Sequence, residues 1–143
     1  MRSRDQVIWD FVQGWLRMAE LDYSVADTLQ ERRSEYAEAV AFHSQQAAEK
    51  FIKTLLVRHQ IEFPKTHDIP LLRGFLAKID TVLATHLTFA DWLTPFGVEV
   101  RYPSQTRELP DDVGERALGA ARQVRESVMA ALDPYLRQGR PIF

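Results

Sequence analysis

Cysteine is absent from the 143 residues, which removes disulfide frameworks, thiolate metal sites and thiol nucleophiles together. Glycine (6) and proline (7) are sparse and collect between periodic segments, as in a chain of long helices. No apolar run approaches the ~18 residues of a membrane span. Met1-Arg2-Ser3-Arg4-Asp5-Gln6 leads straight into an amphipathic pattern without a signal-peptide core. The expectation is a soluble, cytoplasmic protein with no membrane partner. Neither sign of charge dominates: Lys+Arg number 18 and Asp+Glu 20, a net −2. Duplex-DNA binders are usually far more basic, so no duplex DNA is expected. Phosphate-cradling glycine loops, a nucleophile elbow and the histidine spacings of zinc or di-iron sites are all missing. No metal, cofactor or catalytic residue is therefore assigned.

What is present is an ordinary globular balance, 45% hydrophobic and 27% charged, at a length that suits one domain over 1–143 with its core at about 5–137. Ile8, Phe11, Val12, Trp15, Met18, Ala19, Val25, Ala26 and Leu29 draw one helical stripe over about Asp5 to Leu29. Ser3 and Gln6 have the spacing of a capping box. Asp22 interrupts the apolar side and needs a donor, for which Arg101 or a lysine of the second helix are candidates. That second helix runs from a cap at Ser34 to about Gln60. Ala37, Val40, Ala41, Ser44, Ala47, Ala48, Phe51, Ile52 and Leu55 form its core face. Ala39, Phe42, Leu56 and Val57 on its other side suggest a second contact, such as another subunit. A third helix, capped by Thr66 or Asp68 with Pro70 in its first turn, carries Leu71, Leu72, Phe75, Leu76 and Ile79 to about Leu83. A kinked segment spans Thr88 to Val100, and Tyr102-Pro103 ends it. The last helix, capped by Asp111 or Asp112, bears Ala117, Ala120, Ala121, Val124, Val128, Ala131, Leu132 and Tyr135. Gly139 to Phe143 reads as a loose tail. The fold class is all-α, an up-and-down helical bundle of four to five helices.

At about 100° per residue, His43, Gln46, Lys50 and Lys53 share a sector of roughly 80° on the second helix. Two lysines, an imidazole and an amide can hold a phosphate; the plainer alternative is a solvated face. Thr66-His67-Asp68 can be a helix cap with His67 incidental, and Arg101-Tyr102-Pro103 a helix end.

The run Ala41-Phe42-His43-Ser44-Gln45-Gln46-Ala47-Ala48-Glu49-Lys50-Phe51-Ile52-Lys53 resembles the central helix of the HEPN family, the higher-eukaryote and prokaryote nucleotide-binding domain. Trp15-Leu16 through Asp22 resembles its first helix, Thr66-His67-Asp68 the start of its third, and Arg101-Tyr102-Pro103 the family's Arg-Tyr-Pro. The resemblance spans about Trp9 to Leu136. It implies a homodimeric helical bundle, encoded beside and bound to a small nucleotidyltransferase as a two-component, toxin–antitoxin-like pair. It also implies a site for a nucleotide such as ATP lined by Asp22, Gln46, Lys50, Lys53, His67, Arg101 and Tyr102. Within it, Lys50, Lys53 and Arg101 would meet phosphate, and Tyr102 or Phe42 would stack on a base. Other members are metal-independent ribonucleases that use an arginine and a histidine separated by four to six residues, one copy from each subunit of a dimer. Here Arg58 is followed at once by His59, His67 comes eight residues further on, and Arg101 and Arg107 precede no histidine. The Arg-Tyr-Pro branch therefore points to nucleotide or partner binding. The alternatives are a ribonuclease using His67 or His43 with Arg101, or a structural adaptor.

Overall fold

Ser3 and Gln6 close the first helix as their spacing predicts. In the computed structural model, which describes residues 1–32, 35–97 and 109–143, Ser3 Oγ accepts from the Gln6 amide at 3.2 Å and Gln6 Oε1 from the Ser3 amide at 2.9 Å. This capping box opens α1 (Arg4–Gln30). There follow α2 (Ala37–Arg58), α3 (Ile69–Leu76), α4 (Thr81–His86), a 3-10 segment (Leu87–Gly97) and α5 (Val113–Gln138). The fold is an all-α bundle, and the described residues contain no strand. Ser34, Val100, Arg101, Tyr102 and Pro103 lie outside the described residues.

α2 is the central element, packed along α1 and α5 and touched by α3 and the 3-10 segment. Three of its alanines, Ala41, Ala47 and Ala48, are fully buried and let the neighbouring helices come close. Enclosure corrects the reading of its second face: Leu56 is buried within the chain itself, leaving only Ala39, Phe42 and Val57 partly exposed there. The main core joins Phe51, Ile52, Leu55 and Leu56 of α2 to Leu72, Leu76, Leu87, Leu93, Val124, Val128 and Leu132.

Four further expectations are corrected. The single stripe on α1 divides, with Val12, Ala19 and Ala26 buried while Phe11 and Met18 face out. The third helix stops at Leu76, because Asp80 begins α4 by accepting from the Leu83 amide at 2.9 Å; Ile79 falls beyond its end and is exposed, as is Leu71 within it. Leu87, Ala90, Leu93 and Phe96 are buried at intervals of three, the period of a 3-10 helix rather than an α-helix. Asp112 occupies the start of α5 but makes no side-chain cap, and Ala131 lies on its wet side. The caps at Asp68 and the placement of Pro70 are as expected: Asp68 Oδ1 accepts from the Leu71 amide at 3.1 Å.

The tail is held rather than loose. Gln6 Nε2 donates to the carbonyls of Pro141 and Ile142, both at 3.0 Å, and Asp10 accepts from Arg140 Nε at 3.0 Å and Arg2 Nη1 at 2.8 Å. These two guanidinium groups, Arg140 first, lower the Asp10 carboxyl from 3.8 to about 2. A depressed folded pKa contributes stability above the unfolded value and loses it as pH falls through the folded one. The tether should therefore weaken from pH 3.8 down to about 2. An NMR titration of Asp10 with a midpoint near 2 is the expected result, and a midpoint at 3.8 would contradict the tether.

Candidate functional site

Two carboxylates, one partly and one fully buried, organise the polar groups of α2. The first is Asp22, on the apolar side of α1. Its Oδ1 accepts from His43 Nδ1 at 2.9 Å and its Oδ2 from Lys50 Nζ. The donor that Asp22 required is thus a lysine of α2, as one candidate proposed, together with an imidazole. Its side chain is 14% exposed, so both bonds form in a partly dry setting where charge pairing is strong. The Phe42 ring packs edge-on to His43 with centroids 5.1 Å apart.

The second carboxylate, Glu49, is one that sequence reasoning passed over. Its Oε1 accepts from Lys53 Nζ at 2.6 Å, and its Oε2 from His67 Nδ1 at 2.9 Å and Gln45 Nε2 at 3.0 Å. Gln45 Nε2 also reaches the His67 carbonyl at 3.1 Å, and Gln45 Oε1 accepts from Gln46 Nε2 at 2.7 Å. Lys53 donates to the Thr66 carbonyl at 3.0 Å and sits 5.5 Å from the ring centroids of both Trp15 and Phe63. Gly97 makes room for this network: a Cβ there would lie 2.7 Å from the Gln45 amide. The signal was present in the spacing. Gln45, Glu49, Ile52 and Leu56 share a face at intervals of four, three and four, so two polar residues stood on an apolar stripe.

The sector predicted from helical geometry thereby divides by role. Lys53 is almost fully buried and saturated by Glu49, the loop carbonyl and two rings, so it fixes the Thr66–His67 loop onto α2. Lys50 remains partly exposed, and the His67 side chain is 59% exposed. Each imidazole sets Nδ1 against a carboxylate, which favours the tautomer that carries its proton there and leaves Nε2 to accept. Asp22, Gln46, Lys50, Lys53 and His67 are therefore placed on or beside α2, in two hydrogen-bonded groups. Arg101 and Tyr102 lie outside the described residues. Among the described residues, each lysine of this strip is paired with a carboxylate, so Lys50 meets an anion only when Asp22 releases it. A groove of about 660 Å³ lies elsewhere, lined by Asp27, Glu31, Asp111, Glu115 and Arg122; its acidic walls repel an anion.

No helix of the described residues is long and apolar enough to cross a membrane. The HEPN domain model matches residues 12–131. A crystal structure described as an archaeal HEPN homologue matches with a TM-score of 0.63 at 24% identity, covering 85% of this chain and 97% of that one. No curated protein matches the sequence.

Proposed function

The chain belongs to the HEPN domain family, and from that premise we propose that it is a homodimeric, nucleotide-binding partner of a small nucleotidyltransferase in a two-component, toxin–antitoxin-like pair. The observation that supports this reading is the strip where His43 and Lys50 stand on α2 and His67 beside it, held by Asp22 and Glu49. Lys50, released in part from Asp22, meets phosphate together with Arg101; Tyr102 or Phe42 stacks on the base; Gln46 and His67 bond to the ligand's edge. Lys53 acts by holding the loop. Charge-assisted bonds of this kind contribute about 1.5–3 kcal/mol. Lys50→Ala combined with Arg101→Ala should therefore weaken ATP binding by at least about tenfold, measured by calorimetry. Unchanged affinity, or a wild type that binds no nucleotide at millimolar concentration, would refute the assignment.

A ribonuclease is the second reading, favoured by one feature. His43 and His67 each have Nδ1 on a carboxylate at 2.9 Å, the arrangement that prepares an imidazole for general acid–base work at Nε2. It requires wild-type protein to cleave RNA without metal and His67→Ala or His43→Ala to abolish cleavage. RNA that stays intact ends this reading.

A further inference from the structure

Helix α1 has two apolar faces, and the described residues cover only one. Val12, Ala19 and Ala26 are buried in the bundle. Val7, Phe11, Gly14, Met18, Leu21 and Val25 follow at intervals of four, three, four, three and four, the seam of a coiled coil. Along it Phe11 is 61% exposed, Met18 47% and Leu21 66%. Three large apolar side chains in one exposed row mark an interaction surface.

Two details identify the occupant. A Cβ at Gly14 would meet nothing within 4 Å, so packing among the described residues gives no reason for a residue that weakens a helix interior. Gly14 instead leaves a hollow in the seam, one turn from Phe11. Arg17 is exposed and has no ion-pair partner among the described residues. Asp10 lies on the same flank seven residues earlier, and its side chain is still 32% exposed after pairing with Arg2 and Arg140.

We propose that this face of α1 joins a second copy of the chain, the two α1 helices running antiparallel with Phe11 of each seated over Gly14 of the other. The surface is complementary to itself in that orientation, as a two-fold contact requires. Phe11 fills the glycine hollow twice, Met18 meets Val7, and like flanks face each other, so Arg17 meets Asp10. A parallel pair would set Phe11 on Phe11 and leave the hollows empty. The seam adjoins Asp22, one turn beyond Met18, so the contact borders the Asp22–His43–Lys50 group. The inference takes from the proposed function only that the protein is a dimer, and names the surface.

The absence of cysteine gives a clean test. A double variant, Val7→Cys with Met18→Cys, should form covalent dimers on mild oxidation. Neither single variant should, since this register leaves each position about 16 Å along the axis from its own counterpart. By sedimentation, Phe11→Glu should raise the dimer dissociation constant on the order of 100-fold, as for loss of a central anchor, with helical content unchanged. Single variants that link to themselves would mean a parallel pair and overturn the proposal. A dimer that Phe11→Glu leaves intact overturns it while the dimeric reading stands, and a wild type monomeric at 100-micromolar concentration overturns both.

Discussion

Glu49→Ala should destabilise the protein by about 3–5 kcal/mol, because it strands a buried ammonium. Lys53 has only 7% of its side chain exposed and Glu49 3%, so water cannot replace the carboxylate. The same change removes the acceptor of His67 Nδ1 and of Gln45 Nε2. At this chain length 1 kcal/mol corresponds to roughly 2–4 °C in Tm, so a fall of about 6–20 °C is expected. Replacing both partners together, Glu49→Met with Lys53→Met, should recover much of the loss, since a well-packed apolar pair removes two desolvation costs at once. Equal melting curves for Glu49→Ala and wild type would show that the pair is not buried in solution. The double variant also separates architecture from binding: a stable protein that no longer orders the Thr66–His67 loop should lose ligand affinity while keeping its fold.

Phe51→Ala should cost a similar amount, about 3–5 kcal/mol, by a different cause. Phe51 is fully buried at the middle of the enclosed helix, in the core that joins α2 to α3, the 3-10 segment and α5. Truncation forfeits the transfer of the ring from water and leaves a cavity that close-packed surroundings fill only in part. Val82→Ala, at a side chain 81% exposed, should change stability by less than about 0.5 kcal/mol. Urea unfolding of the three proteins decides the matter, and a small loss for Phe51→Ala would mean that the core around it collapses freely.

Much of the fold was legible because its signals are local. Ser3 with Gln6, and Asp68 with Pro70, act over three or four residues, and the structure satisfies them with the expected bonds. Errors arose where periodicity alone could not identify the neighbour. α1 holds enough apolar residues for two faces, and counting them as one stripe merged a buried row with an exposed one. Leu76, Ile79 and Leu83 keep helical spacing across this stretch, yet Asp80 cuts it because a cap interrupts a helix regardless of hydrophobicity. The 3-10 segment was hidden because Phe89, Trp92, Leu93 and Phe96 also fit the three-and-four spacing of an α-helix. The candidate site was half legible. The helical sector gave His43, Gln46, Lys50 and Lys53, whereas Glu49 and Gln45 looked like ordinary polar residues, since burial of that face depends on Gly97 and the Thr66–His67 loop, far away in sequence.

The enclosure of α2 has a consequence for how the protein opens. Peptide hydrogens exchange with solvent only when their helix is released, and release of α2 requires α1 and α5 to part on either side of it. Its central amides, from Ala41 to Leu56, should exchange last and at the rate set by whole-molecule unfolding. α3 and α4, with eight and six residues, can detach in local events that leave the central helix protected. The strip of imidazoles and Lys50 thus rests on the slowest-exchanging backbone of the molecule, while the loop bearing His67 joins it to the faster part.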